Sequence, residues 1–194
     1  MTWCRLLNAD EIKMPLMPTN DVQENYTILL CTSSDGDVKM PLIVFTGTEQ
    51  LENPIRIING RPIFEAYNDT HWNNALLHGQ YLTALYTSLP PCSCNFVDCT
   101  AYCMLVDRFT GHFSDEQKAL DEKHHVRTVV VEYTPEGQPN DDRFNGLIKG
   151  GVRARQADFW KQRQHDEYQC KQQGKEPPPP VTRAQNRGLH GHIV

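Results

Sequence analysis

Two aspartates are the residues from which chemistry can first be argued. Asp10 follows the first apolar stretch in Asn8-Ala9-Asp10-Glu11, and Asp107 closes the unbroken run Ala101 to Val106 in Leu105-Val106-Asp107. Acidic side chains at the ends of neighbouring strands can converge on one edge of a sheet. There they can hold two divalent cations ~3.5 to 4 Å apart, which generate a hydroxide and stabilise both oxygens of an in-line phosphoryl displacement. Carboxylate oxygens are hard ligands and select Mg2+ or Mn2+ over softer metals. On spacing alone the plainer account is stronger, because aspartate at a strand end is commonly a turn or capping residue.

The elements that would position these acids follow from the hydrophobic pattern. Strands are expected at Thr2 to Asn8, Tyr26 to Thr32 and Val38 to Thr46, the last two joined through the turn signal Ser33-Ser34-Asp35-Gly36-Asp37. Residues 47 to 67 show no clean period and read as an irregular connection with a short strand at Ile55 to Ile58. Trp72, Ala75, Leu76, Leu82, Leu85, Tyr86 and Leu89 recur at helical spacing, predicting a helix over 69 to 89 that is capped by Asp69 or Thr70 and ended by Pro90-Pro91. A buried strand at Ala101 to Val106 comes next. Ser114 with Gln117 makes a capping-box pattern for a helix through His124, and Arg127 to Tyr133 is a β-branched strand. A helix is expected from Asp142 to about Gln173, weakened at Gly146, Gly150 and Gly151 by about 1 kcal/mol each relative to alanine. Residues 174 to 194 carry Pro177 to Pro180 and little apolar mass, which predicts a disordered tail. The expectation is one α/β domain over residues 1 to 173: a mixed sheet flanked by helices, with parallel neighbours where strand, helix and strand alternate.

That order of elements is the order of RNase H-like domains, and the motifs carry the likeness further. Tyr26-Thr27-Ile28-Leu29-Leu30-Cys31, Asp35-Gly36 and Lys39-Met40-Pro41-Leu42-Ile43-Val44-Phe45-Thr46-Gly47 resemble the second and third strands of the DDE superfamily endonuclease domain of pogo-, Tigger- and jerky-like transposases. In that family the first acid lies in N-x-D-E-T, matched by Asn8, Asp10 and Glu11 with Ile12 in place of threonine. The second lies in L-x-D-N-x-x-x-H, matched by Leu105, Asp107 and His112 with Arg108 in place of asparagine. Leu120-Asp121-Glu122-Lys123 and Thr134-Pro135 continue the resemblance, which spans residues 3 to 160. The third acid belongs to a Q-P-L-D motif. Gln138-Pro139-Asn140-Asp141 fits it locally and puts Asp141 in that role, near the separation of mariner-like relatives. An ungapped register from Thr134-Pro135 to Phe159-Trp160 puts Asn145 there instead, and Asp142 is a third candidate.

The resemblance implies a transposase-derived domain whose partner is DNA. Asp10, Asp107 and Asp141 would be the catalytic metal ligands of a two-metal Mg2+ or Mn2+ site that cleaves or transfers strands, with water or a DNA 3′-hydroxyl as nucleophile. The departures at Ile12, Arg108 and the third acid imply the alternative, an inactive remnant that keeps the fold and a nucleic-acid or protein partner. An asparagine at the third position offers an oxygen but no charge. No helix-turn-helix module precedes the first acid, so the chain reads as a fragment or a decaying copy.

Other features weigh less. Cys92, Cys94, Cys99 and Cys103 are close together, but C-x-C-x4-C-x3-C is not a zinc-knuckle spacing, and His124, His125, His190 and His192 do not complete it. Lys149, Arg153, Arg155, Lys161 and Arg163 make the last helix basic enough to meet a phosphate backbone, diluted by Asp158, Asp166 and Glu167. Trp72, Phe159 and Trp160 read as core anchors. A net charge of -5 gives no general attraction to phosphates. With no signal peptide and no apolar stretch near the roughly 20 residues that span a bilayer, the expected location is intracellular and soluble, nuclear if DNA is the partner. No membrane is expected as partner, and a homodimer is a candidate assembly.

Overall fold

The computed structural model describes residues 5–15, 25–90, 101–106, 114–131 and 144–181. Seven strands and three helices are assigned among them: β1 (Arg5–Pro15), β2 (Asn25–Ser33), β3 (Leu42–Thr46), β4 (Ile55–Ile58), β5 (Arg61–Asn68), α1 (Ala75–Ser88), β6 (Tyr102–Val106), α2 (Asp115–Lys123), β7 (Val126–Val130) and α3 (Asn145–Gln172). The strands form one mixed sheet in the order β4-β5-β3-β2-β1-β6-β7. β1, β2 and β3 make an antiparallel meander, and β6 and β7 add to β1 in parallel through α1 and α2. The expected α/β class with a mixed sheet is what the chain adopts.

Both faces of the sheet are covered, because successive side chains of a strand point to opposite sides. On one face Leu7, Ala9, Leu29, Cys31, Leu42 and Val44 pack with Tyr81, Leu82 and Leu85 of α1. On the other, Ile12, Met14, Ile28, Leu30 and Ile43 pack with Val152 of α3, joined by Phe144 and Ile148. Full burial of each such aliphatic side chain contributes roughly 1.5 to 3 kcal/mol, so the double-sided sheet is the main source of cohesion. A buried polar knot ties the helical layer to the sheet edge. The Asp121 carboxylate of α2 accepts hydrogen bonds from Tyr86 Oη of α1 at 2.9 Å, Gln117 Nε2 at 2.6 Å and Thr128 Oγ1 of β7 at 2.7 Å. Gln117 is thereby drawn into the knot, while Ser114 caps α2 by accepting from the Gln117 backbone N–H at 3.1 Å.

Several boundaries differ from expectation for identifiable reasons. β1 does not stop at Asn8 but runs to Pro15 along its whole pairing with β2, which places Asp10 inside the strand, opposite Leu30. Helix α1 begins only at Ala75, capped by Asn74 Oδ1 accepting from Leu77 N–H at 2.9 Å. Trp72 therefore precedes the helix and is 45% exposed, with Lys13 Nζ 5.3 Å from its ring centroid; it is not a core anchor. Leu76 is 71% exposed, because the buried face of α1 is carried by His78, Tyr81, Leu82, Leu85 and Tyr86, and Leu76 lies on the opposite side. β5 was not expected at all. It follows β4 across Asn59-Gly60, whose φ values of 52° and 79° make the two-residue turn that a tight hairpin requires.

Candidate active site around Asp10

Asp10 lies on β1, between β2 and β6, on the sheet face covered by α3. Its neighbours two and four residues on, Ile12 and Met14, are core residues of that face. The isoleucine standing where the resemblance has threonine is thus part of the apolar core on the same face as the acid. Asp10 is 8% exposed. One carboxylate oxygen, Oδ1, accepts from the Glu11 backbone N–H at 2.9 Å; the other, Oδ2, accepts from Asn145 Nδ2 at 2.8 Å.

Asn145 is the first residue of α3 and is 3% exposed. It is held there by the stripe that seats the helix, since Ile148 and Val152 follow it at helical spacing and pack on Ile12, Ile28 and Ile43. The amino end of α3 is consequently turned towards the carboxylate. An anion is favoured at that end of a helix. A hydrogen bond to an ionised, buried acceptor is stronger than one between neutral groups. The pair is a cohesive contact between central strand and covering helix.

Beside β1, strand β6 runs parallel, with Leu105 opposite Asn8, two residues before Asp10. Asp107 comes next but one after Leu105 in the chain and lies outside the described residues, as do Arg108, His112, Asp141 and Asp142. Of the three positions weighed for the third acid, 145 is the one described, and its amide meets Asp10. Among the described residues no three His, Cys, Asp or Glu side chains gather into a metal-sized group. Mg2+ demands an octahedron of oxygens. One carboxylate whose Oδ2 already accepts an N–H, plus one carboxamide turned with its nitrogen towards it, do not by themselves fit that ion. They fit a hydrogen-bonded strut.

No protein-family model matches the chain, and no curated protein matches it.

The remaining candidates separate. Cys103 is buried in β6, where burial pushes its thiol pKa up, while Cys92, Cys94 and Cys99 lie outside the described residues. Lys149 is half-buried and Arg153, Arg155 and Lys161 are exposed on α3. Arg163 is not available to phosphate in the same way, because its guanidinium bonds Glu167 and two proline carbonyls. No helix among the described residues is long and apolar enough to cross a membrane.

Proposed function

We propose that the chain is a transposase-derived, RNase H-like domain whose partner is DNA, working in the nucleus, and whose strand-cutting site has been blunted at position 145. The observation that carries this reading is the hydrogen bond from Asn145 to Asp10. The ungapped register assigns the third acid to 145, and the residue there does touch the first acid, but as a neutral donor. Two features support the fold-level part. The five strands β3-β2-β1-β6-β7 have the order and directions of the RNase H-like sheet, with β4 and β5 added at one edge, and α3 begins over the acid-bearing strand. Lys149, Arg153 and Arg155 on that helix are the candidate backbone contacts.

The reading has two measurable consequences. Fluorescence anisotropy with a duplex oligonucleotide should give binding that weakens with salt and weakens further in Lys149→Ala/Arg153→Ala; no binding at low salt rejects DNA as partner. Supercoiled plasmid with Mn2+ should remain intact with the wild-type chain, and Asn145→Asp, which restores a carboxylate, should gain nicking that Asp10→Ala then removes.

A second reading is favoured by the parallel alignment of β6 with β1, which sets Leu105 opposite Asn8, each two residues before an acid in the chain. In it Asp10, Asp107 and Asp141 hold Mg2+ or Mn2+ and the domain cleaves DNA. Nicking by the wild-type chain that is lost in Asp10→Ala and in Asp141→Ala would establish this reading and displace the first.

A further inference from the structure

The four prolines Pro177 to Pro180 take no part in the acid-bearing face, yet the chain goes to some length to present them. Helix α3 ends in a Schellman reversal. Gly174 adopts φ 65°, the Lys175 N–H donates to the Cys170 carbonyl at 2.9 Å, and the Gly174 N–H donates to the Lys171 carbonyl at 3.3 Å. The chain thereby turns back along the helix it has just left. Pro177, Pro178 and Pro179 each precede a proline, whose ring excludes the helical conformation for the residue before it. The segment is therefore held to polyproline II, with three residues per turn.

Proline has no N–H, so such a segment cannot bond itself and its carbonyls need outside donors. Arg163 provides them. Its Nη2 donates to the carbonyls of Pro178 at 3.1 Å and Pro179 at 2.9 Å, while its Nε donates to Glu167 Oε1 at 3.0 Å. The threefold period then sorts the side chains into ridges. Pro178 and Val181, three apart, are both half-buried; Pro177 and Pro180, also three apart, are both exposed. One ridge is sheltered and the other is offered to solvent with P-x-x-P spacing.

We propose that the Pro177–Pro180 ridge is a docking site for a protein domain that reads polyproline II in an aromatic-lined groove, of the SH3, WW or EVH1 kind. Such grooves accept prolines at this spacing and benefit from a ligand already in the helical form. Fastening the segment with Arg163 removes conformational freedom before the partner arrives, which lowers the cost of binding. A strap that only steadied the end of α3 would need the sheltered ridge, Pro178 and Val181, and nothing of the exposed one.

The test uses the full chain, labelled and applied to an array of purified SH3, WW and EVH1 domains, with each binder titrated in solution. At least one domain is expected to bind saturably. Pro177→Ala/Pro180→Ala should weaken that binding by about tenfold or more, the scale on which loss of anchor residues is felt. Pro178→Ala should leave it nearly unchanged, with circular dichroism showing the same helix content in every variant. The proposal is overturned if no domain in the array binds, if binding survives the double substitution, or if Pro178→Ala weakens it equally.

Discussion

A buried carboxylate is costly unless its oxygens are satisfied, and Asp10 meets that condition through Glu11 N–H and the Asn145 amide. Removing the amide leaves Oδ2 without its charge-assisted donor under a covering helix. Asn145→Ala is therefore expected to lower unfolding stability by ~1 to 3 kcal/mol, read as a shift in the urea midpoint. A variant within a few tenths of wild type would mean the contact carries no weight. At this scale the sequence was partly legible. Asp10 could be singled out because it follows an apolar stretch inside a match to N-x-D-E-T, although strand-end aspartates are common in themselves. The meeting of residues 10 and 145 was visible only through one of two competing registers, since 135 residues separate them and periodicity carries no information across such a gap. Trp72 was misread because three- and four-residue spacing was extended one turn upstream of the true cap, Asn74.

Helix α3 holds together over 28 residues despite three glycines. An added Cβ at Gly146, Gly150 or Gly151 would meet nothing within 4 Å, so no close packing requires them. Gly150→Ala and Gly151→Ala should each raise stability by roughly 0.5 to 1 kcal/mol, the propensity difference between the two residues, seen as a higher thermal midpoint by circular dichroism. A loss instead would reveal a neighbour that needs the bare backbone. Helices were the more legible elements: Ser114 caps α2 where the capping pattern placed it, and α1 and α3 lie within their expected spans. β5 escaped because it is covered on both sides, Ile63 joining one core and Phe64 and Ala66 the other, and so it lacks polar alternation. The signal that could have found it was Asn59-Gly60 between two short apolar runs.

For the molecule as a whole, the central strands bring titratable groups into the interior. Cys31 of β2 is fully buried, and burial pushes its thiol from 9.0 up to about 12, with Lys39 pulling weakly the other way. Burial also raises the hydroxyls of Tyr26, Tyr81 and Tyr86 above 10.0, and for Tyr86 the adjacent Asp121 charge adds to it. An acid whose folded pKa is raised binds its proton more tightly in the native state. The stability it lends is complete below the unfolded pKa and is lost as pH climbs through the window up to the folded one. For Cys31 that window runs from 9.0 to about 12. The thermal midpoint is expected to fall as pH passes 9, and in Cys31→Ala that fall should be shallower between 9 and 10, where the raised Cys103 thiol still contributes, before the tyrosines take over. An unchanged pH profile would show that Cys31 is reached by solvent without unfolding. The β1-β6-β7 half of the mixed sheet was legible from alternating strand and helix patterns, because those parallel neighbours are joined through helical crossovers; the third parallel pair, β3 with β5, is joined through β4 alone and left no such pattern.

The length of α3 has a mechanical consequence. At ~1.5 Å per residue its 28 residues reach roughly 40 Å, with one end braced against the acid-bearing strand and the other folded over by Arg163 and the prolines. The helix is an outrigger: the residues that seat it on the sheet, Ile148 and Val152, lie near its amino end, so whatever grips the far tip pulls on a rod anchored at its other end. Tension on the tip would be borne first where the rod is pinned, at the amide of Asn145 and the carboxylate beneath it.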